Sequence, residues 1–523
     1  MNKLCPFCDK AIESSLVRHI KVEHGEETLR KAVLTDKRNG LSDVQIGARY
    51  GISFNYLERV ITREYGANIS NISRNKSRIT HWEPKGFQLE KTTVWSFKNR
   101  GKWATHDGRY RGNWSPYIPR NLILRYSQPH ETVLDYFCGG GTTAVEAKLL
   151  NRRCIARDIN PEALALTREN LNFQPPSTVL ANNGGSLVEP ELALGDARDL
   201  SAIENDSIDL ICAHPPYAGI ISYSANTVDG DLSTLSVPEF IVAMQKVAQE
   251  SYRVLKPGRQ CAILIGDSRK AKHIIPIGFL TIRAFLKAGF ALRELIIKRQ
   301  HNCKTTGFWY SNSIRYNFLL LAHEFLPVFE KPTKSRTAQE IRQLSWLTAL
   351  DTIQEIEDTI ERIEREQLET TSVWVFPACH MQAEIRRNLL GRFAKTGESI
   401  LEIKLDDARQ RVNNALYPLV YIDFCSLSRP ISAKHLDLLD KMTKAAAQHL
   451  AHDGFCVIET RDFRRDDGML VPMGLWVFEH LEKSNLELRE IVIVTSEENQ
   501  PFETPPEGYL GIAHKYLLIY RKL

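Results

Sequence analysis

Thr132-Val-Leu-Asp135-Tyr-Phe137-Cys-Gly139-Gly140-Gly141-Thr142-Thr143 reads as a strand that opens into a glycine turn and then a helix. Glycine has no Cβ, so backbone N–H groups in such a turn can approach a ligand closely. The helix starting near Thr142 aims the positive end of its dipole at the same place. About one strand later, Cys154-Ile-Ala-Arg-Asp158-Ile-Asn-Pro161 ends in a carboxylate placed to accept from both hydroxyls of a ribose. Gly195-Asp196 ends the next strand, where a polar side chain can touch an adenine amine. Dinucleotide-binding folds use similar turns, so the turn alone leaves the ligand open.

Working outward, Ile208-Asp-Leu-Ile-Cys-Ala213 runs into His214-Pro215-Pro216-Tyr217. Two prolines and an aromatic ring at a strand end can grip a planar base. Val133–Asp135, Arg153–Asp158, Leu192–Leu194, Ile208–Ala213, Cys261–Ile265 and Arg293–Lys298 are strand candidates, with helical patterns between most of them. That alternation predicts a parallel, doubly wound α/β sheet.

Together, in this order and spacing, the two motifs resemble those of amino-methylating DNA methyltransferases, which use S-adenosylmethionine (SAM). The resemblance covers about residues 92–330. It includes Trp95-Ser-Phe97, Arg100-Gly-Lys-Trp103-Ala-Thr-His106, Tyr110-Arg-Gly-Asn113-Trp-Ser-Pro116 and Arg253-Val-Leu-Lys-Pro257-Gly258. Cofactor motif first and catalytic motif second resembles the gamma arrangement, in which target recognition comes last. The resemblance implies a class I SAM-methyltransferase domain, Rossmann-like and doubly wound. It implies that Asp135, Phe137, Gly139, Gly141, Thr142, Asp158, Asp196 and Asn113 meet the cofactor, and that His214, Pro215, Pro216 and Tyr217 are catalytic.

An exocyclic base amine is a poor nucleophile, because its lone pair is delocalised into the ring. The family's solution is to flip the base out of the duplex. A polar side chain and the first proline's carbonyl then accept the amine's two hydrogens, while the aromatic ring stacks on the base. His214 stands where Asp, Asn or Ser is usual. Neutral imidazole offers one acceptor and imidazolium none. Activity is therefore expected to fall as pH drops through the histidine's pKa, between about pH 8 and 5.

Residues 5–24 read Cys5-x2-Cys8-x10-His19-x4-His24. Two thiolates on a knuckle and two imidazoles about one helical turn apart can close a tetrahedral zinc site. Leu41 to Ile61 follows, with a capping-box start at Ser42 and Gln45, a stop at Gly51 and a second cap at Ser53. It resembles a helix-turn-helix, although an ordinary helical hairpin has the same signals. Net charge is +5 overall, but residues 71–126 hold 12 Lys+Arg against 3 Asp+Glu. That window also holds Trp82, Trp95, Trp103, Tyr110, Trp114 and Tyr117, a mixture that suits a polyanion with stacking bases or, alternatively, a basic surface over an aromatic core.

No run reaches the roughly 18 apolar residues of a membrane span. The N-terminus lacks a secretory pattern, and most of the ten cysteines are isolated, so a reducing cytoplasm is the expected setting. Apolar residues at three- and four-residue steps from Ile341 to Ile363 predict a joining helix or helical hairpin. Beyond it, Trp95-Ser-Phe97 recurs as Trp374-Val-Phe376, Arg120-Asn-Leu122 as Arg387-Asn-Leu389, and Ile275-Pro-Ile-Gly278 as Val471-Pro-Met-Gly474. Leu292-Arg-Glu-Leu295 recurs as Leu488-Arg-Glu-Ile491, and Ala322-His323 as Ala513-His514. Five pairs in one order point to a repeat, one that lacks both key motifs.

The expected organisation is a zinc finger over 1–27, a helix-turn-helix segment over 28–80, a methyltransferase domain over 81–332, a linker helix over 333–368 and a degenerate copy over 369–523. Loops over 219–233 and 298–310 are expected to reach the substrate. The expected activity is methyl transfer from SAM to cytosine N4, ahead of adenine N6, in double-stranded DNA, as a modification enzyme paired with a restriction nuclease. An RNA base methyltransferase and an inert DNA-binding regulator are the alternatives.

Overall fold

The computed structural model describes residues 3–8, 10–12, 15–39, 41, 43–52, 56–57, 60, 79–106, 112–182, 187–217, 230–270, 273–301, 307–333, 353–359, 368–394, 398–405, 415–425, 433–465, 467–482 and 484–523. Two large sheets dominate it. The first has eight strands in the spatial order Val94–Ser96, Ala291–Arg299, His323–Glu330, Leu255–Ile263, Ile208–Ala213, Thr132–Asp135, Arg153–Asp158 and Glu191–Leu194. All neighbours are parallel except His323–Glu330, which runs against both of its partners. Parallel strands covered by helices on both faces read as unbroken apolar runs, and all six residues of Ile208–Ala213 are buried. Helix Thr142–Leu149 is likewise buried along its whole length.

The second sheet repeats this order: Val373–Phe376, Leu486–Ser496, His514–Lys522, Leu450–Thr460, Tyr417–Asp423 and Ser399–Leu405. Strand directions match those of the first sheet. The repeat then departs from its template. Where the first lobe continues into two further parallel strands, the second ends on Ile353–Thr359, paired antiparallel with Ser399–Leu405. This corrects the expected joining helix. An unpaired strand edge presents a row of backbone donors and acceptors, and satisfying it overrides a weak local period. The rest of that expected helix, 334–352 and 360–367, lies outside the described residues.

The lobes meet through reciprocal bonds. Thr93 Oγ1 of the first lies 2.8 Å from His514 Nδ1 of the second, and Ser372 Oγ of the second lies 2.9 Å from His323 Nδ1 of the first. The Arg464 guanidinium donates to the buried Glu294 carboxylate, and Arg269 donates to the buried Glu490 carboxylate. Trp95 and Trp374, both fully buried, each donate to the carbonyl three residues earlier. Such self-complementary contacts are the signature of a two-fold interface, realised here within one chain.

The N-terminal helices Leu16–Glu23, Glu26–Arg38 and Asp43–Tyr50 share one core with Cys5, through Ile20, Val33, Ile46 and Tyr50. Gly51 turns the chain at φ +65°, where a Cβ would sit 3.1 Å from that of Leu16. Ser42 and Ser53 lie outside the described residues. Asp43–Tyr50 packs near helix Gly307–Tyr316, which brings this module to the first lobe. In the basic, aromatic window three tryptophans follow the aromatic-core reading, while Trp82 is half-buried against Phe173 and Tyr110 lies outside the described residues. Trp95, Trp103 and Trp114 are buried and belong to one core with Ile118 and Leu122. Trp103 and His106 also donate to the fully buried Glu146, as does Arg120. Burying rings this large removes more water-exposed area than any other use of them. No described helix is long and apolar enough to cross a membrane.

Candidate active site

Thr132–Asp135 and Ile208–Ala213 are adjacent parallel strands, with Leu134 registered beside Ile211. The glycine turn and the His214-Pro-Pro-Tyr217 motif therefore leave one edge of the sheet side by side. Asn113 and Trp114 span them. Asn113 Oδ1 accepts the Gly140 N–H at 3.0 Å, and a Cβ on Gly140 would meet Asn113 Nδ2 at 2.5 Å. Trp114 stacks on His214, with ring centroids 5.8 Å apart and planes 19° apart.

The turn is held from several sides. Asp158 accepts the Gly139 N–H at 2.9 Å through one oxygen and the Asn160 N–H at 2.9 Å through the other. Thr167 and Asn170, on helix Pro161–Asn170, donate to the carbonyls of Gly139 and Gly140. Gly141 caps the next helix at φ +81°, where a Cβ would lie 2.6 Å from Thr167 Cγ2, so the site requires glycine. Asp135 is buried and accepts the Phe137 N–H at 3.0 Å; burial pushes its pKa up to about 7. Phe137 is half-buried with its ring edge-on to Tyr136, and Thr142 begins the buried helix. Burial also raises Asp158, to about 6. A carboxylate has about four lone-pair sites, so these backbone bonds leave room to accept a ribose hydroxyl. Asp196 is differently engaged: Arg198 holds its carboxylate at 2.6 Å, and Gly230 closes over the pair.

At the second motif, Tyr217 donates its hydroxyl proton to Glu324 Oε1, and His214 Nε2 lies 3.2 Å from the same hydroxyl. Lys298 Nζ meets the other Glu324 oxygen at 2.7 Å. Burial opposes a charge on Glu324, but Lys298 and its neighbours outweigh it and bring the pKa down to about 2. Burial takes His214 down to about 4, so its ring is neutral across the physiological range. Pro215 is buried and Pro216 half-buried. Glu324 and Lys298 carry no motif of their own. Glu324 reaches Tyr217 because His323–Glu330 runs antiparallel and starts at the edge where its neighbours end, and Lys298 faces Glu324 from the adjacent strand. Of the loops expected to reach a substrate, 218–229 and 302–306 lie outside the described residues.

A surface cavity of about 640 Å³, lined by Lys148, Arg168, Phe173 and Glu189, lies at the opposite, amino edge of the sheet and contains none of these groups.

Register equates Asp135 with Glu402, His214 with Asp423 and Glu324 with Lys515 in the second lobe. There Arg386 pairs with Glu402 at 3.2 Å. Lys515 pairs with Glu459, to which Gln382 also donates at 3.2 Å. A cavity of about 120 Å³ remains, lined by Arg386, Glu402 and Tyr421. Small-molecule pockets usually run to at least ~300 Å³, so this one is too small for such a ligand.

Near the N-terminus, Cys5 Sγ lies 3.5 Å from His24 Nε2 and Cys8 Sγ lies 3.4 Å from His19 Nε2. All four atoms lie within 4.8 Å of one another. Zinc bonds of about 2.3 Å to sulfur and 2.0–2.1 Å to nitrogen, at tetrahedral angles, need S···N separations of about 3.5 Å. The four side chains fit that ion.

A family model described as DNA methylase matches residues 53–169 and 208–400. Another, described as RNA cap guanine-N2 methyltransferase, matches residues 130–255. The chain is similar to the tRNA (guanine(10)-N2)-dimethyltransferase of Methanothermobacter thermautotrophicus, at 28% identity over 197 residues, 38% of this chain and 48% of that protein. It thus spans about half the length of that relative. It is also similar to the Type II methyltransferase M.MjaI of Methanocaldococcus jannaschii, at 25% identity over 249 residues, 40% of this chain and 78% of that protein. Among solved structures it is similar to a SAM-dependent methyltransferase from Methanosarcina mazei, at 16% identity and a TM-score of 0.29, over 41% of this chain and 98% of that one.

Proposed function

This chain belongs to the DNA methylase family, whose model spans more than half of it, and from that premise we propose that it methylates an exocyclic amine of a base in double-stranded DNA, cytosine N4 ahead of adenine N6. The observation that carries this reading is the bridge of Asn113 and Trp114, which ties a nucleoside turn to a base-gripping motif at one sheet edge.

When bound, SAM supplies an electrophilic sulfonium methyl. The residues of the chain do the rest. Gly139 and Gly141 let the backbone approach the cofactor's methionine end at the start of the buried helix, with Thr142 as its first residue. Asp158 accepts the ribose hydroxyls. Asp135 and Phe137 shape the turn, and Asp196, with Arg198, borders the adenine. His214 and the Pro215 carbonyl accept the two amine hydrogens and free the nitrogen lone pair. Pro216 offers no competing N–H, and Tyr217 flanks the base. Transfer would exchange the S–C bond of SAM for an N–C bond, and the amine's surplus proton would leave along its hydrogen bond to His214 and pass to solvent.

Zinc on Cys5, Cys8, His19 and His24 would hold the N-terminal module together beside the target, where it binds duplex. The second lobe, with its filled sites, serves as the clamp. A cognate restriction nuclease is the partner this reading assigns, and the cytoplasm is the compartment.

The RNA-methylating names among the relatives favour one second reading, methylation of an RNA base amine. Tritiated methyl transfer to duplex DNA, challenged with excess tRNA, separates the two. Label on DNA that tRNA fails to displace supports the proposal; label that moves to tRNA overturns it.

A further inference from the structure

We infer that Glu324, anchored by Lys298, fixes the direction of a hydrogen-bond chain through Tyr217 that places the His214 proton on Nε2 and leaves Nδ1 as the acceptor for the target amine. The inference rests on the proposed reading of His214 as the amine-gripping group, and it names which atom does the gripping and what sets it.

The chain has one consistent direction. A carboxylate only accepts hydrogen bonds. One oxygen of Glu324 accepts from Lys298 at 2.7 Å, and the other accepts the Tyr217 hydroxyl proton. That hydroxyl has a single proton, so toward His214 it can only accept. The 3.2 Å contact with Nε2 is then an N–H donated by the imidazole. Nδ1 keeps its lone pair. It has no bond of hydrogen-bonding geometry, but it is closed off in the free protein and faces the Gly112 carbonyl, so the target amine reaches it only by displacing that backbone. The opposite tautomer would give its Nδ1 proton to Gly112, but it would also turn the Tyr217 proton away from Glu324 and surrender a charge-assisted bond, the stronger kind.

Geometry makes Nδ1 the useful nitrogen. It is bonded directly to Cγ, as the side-chain oxygen of an Asp or Asn is, so it has their reach. Nε2 is one atom farther and faces Tyr217. Trp114, stacked on the ring, resists the flip that would exchange the two. Glu324 and Lys298 are thus positioning residues. Glu324 touches Tyr217 and Lys298 touches Glu324, and they act on the target through His214.

Glu324→Gln tests this with almost no change of shape. Lys298 has only protons to offer, so it draws the amide oxygen and turns the amide NH2 toward Tyr217. The tyrosine must then donate to His214, and the His214 proton moves to Nδ1. The measurement is 15N-histidine NMR of the full-length protein without nucleic acid, with the His214 signals assigned by their loss in His214→Asn. We expect an unprotonated Nδ1 in the wild type and an unprotonated Nε2 in E324Q. Single-turnover transfer should fall on the order of 100-fold in E324Q with the SAM Kd unchanged, and E324D should recover both the tautomer and most of the rate. A protonated Nδ1 in the wild type, or the same tautomer in E324Q, overturns the inference. A wild type with the expected tautomer that methylates no nucleic acid sinks the proposed function and leaves the tautomer assignment standing.

Discussion

Trp114 lies against His214 with the ring planes 19° apart, one residue after the side chain that holds the Gly140 N–H. A single dipeptide therefore touches the proposed cofactor turn and the proposed base slot at once. Neither half of the site can shift without moving the other, which is the requirement for bringing a methyl group and an amine into line.

Replacing Asn113 by Ala removes one bond to the turn. Such a bond contributes about 1 kcal/mol, so calorimetry should show SAM binding weakened about fivefold. Trp114→Leu should leave SAM affinity within twofold and lower the single-turnover rate, because it frees the His214 ring.

The pH dependence should come in two separate steps. With SAM saturating, the transfer rate should stay level from pH 8 to 5 and fall only near pH 4, where buried His214 takes up a proton. This corrects the expectation of a fall within that range, since desolvation lowers the histidine below its ordinary value. SAM affinity should weaken earlier. Asp135 and Asp158, raised by burial to about 7 and about 6, are acceptors above those values and gain protons below them. Calorimetry at pH 8 and 5 checks the second step, and rapid-quench rates check the first.

The two lobes should be coupled through their crossed ion pairs. Arg464→Met strands Glu294 as a buried, uncompensated charge and should cost about 3–5 kcal/mol. The double variant Arg464→Met with Glu294→Leu should cost less than the single one, because no lone charge remains. Denaturant unfolding of both variants measures the difference.

Chelation should act on the N-terminal module. Metal analysis should give one zinc per chain, lost in Cys5→Ser. Zinc fingers unfold without metal, so duplex affinity should fall while SAM binding is retained. Equal duplex affinity with and without zinc would contradict a DNA role for this module.

The parts of the site that follow from local chemistry were legible in the chain. Gly141 must tolerate a positive φ against Thr167, and Pro215 and Pro216 end a strand; both features are written in consecutive residues. Glu324 was not legible. It lies 107 positions from Tyr217, and its role depends on one strand running backwards in the sheet. The aromatic window left two readings open for a related reason: composition says that Trp103 is large and apolar, but not that Glu146 waits beneath it for the indole N–H. Ile353–Thr359 had the spacing of a helix, and the demand of an open strand edge in the second lobe decided otherwise.

The most direct measurement is native sequencing of chromosomal DNA from a methylation-free host that expresses the chain. The account predicts N4-methylcytosine or N6-methyladenine at one recurring sequence, absent when Pro215→Ala or Tyr217→Ala replaces the wild type. Unmodified DNA, from cells whose purified protein still binds SAM, would contradict it.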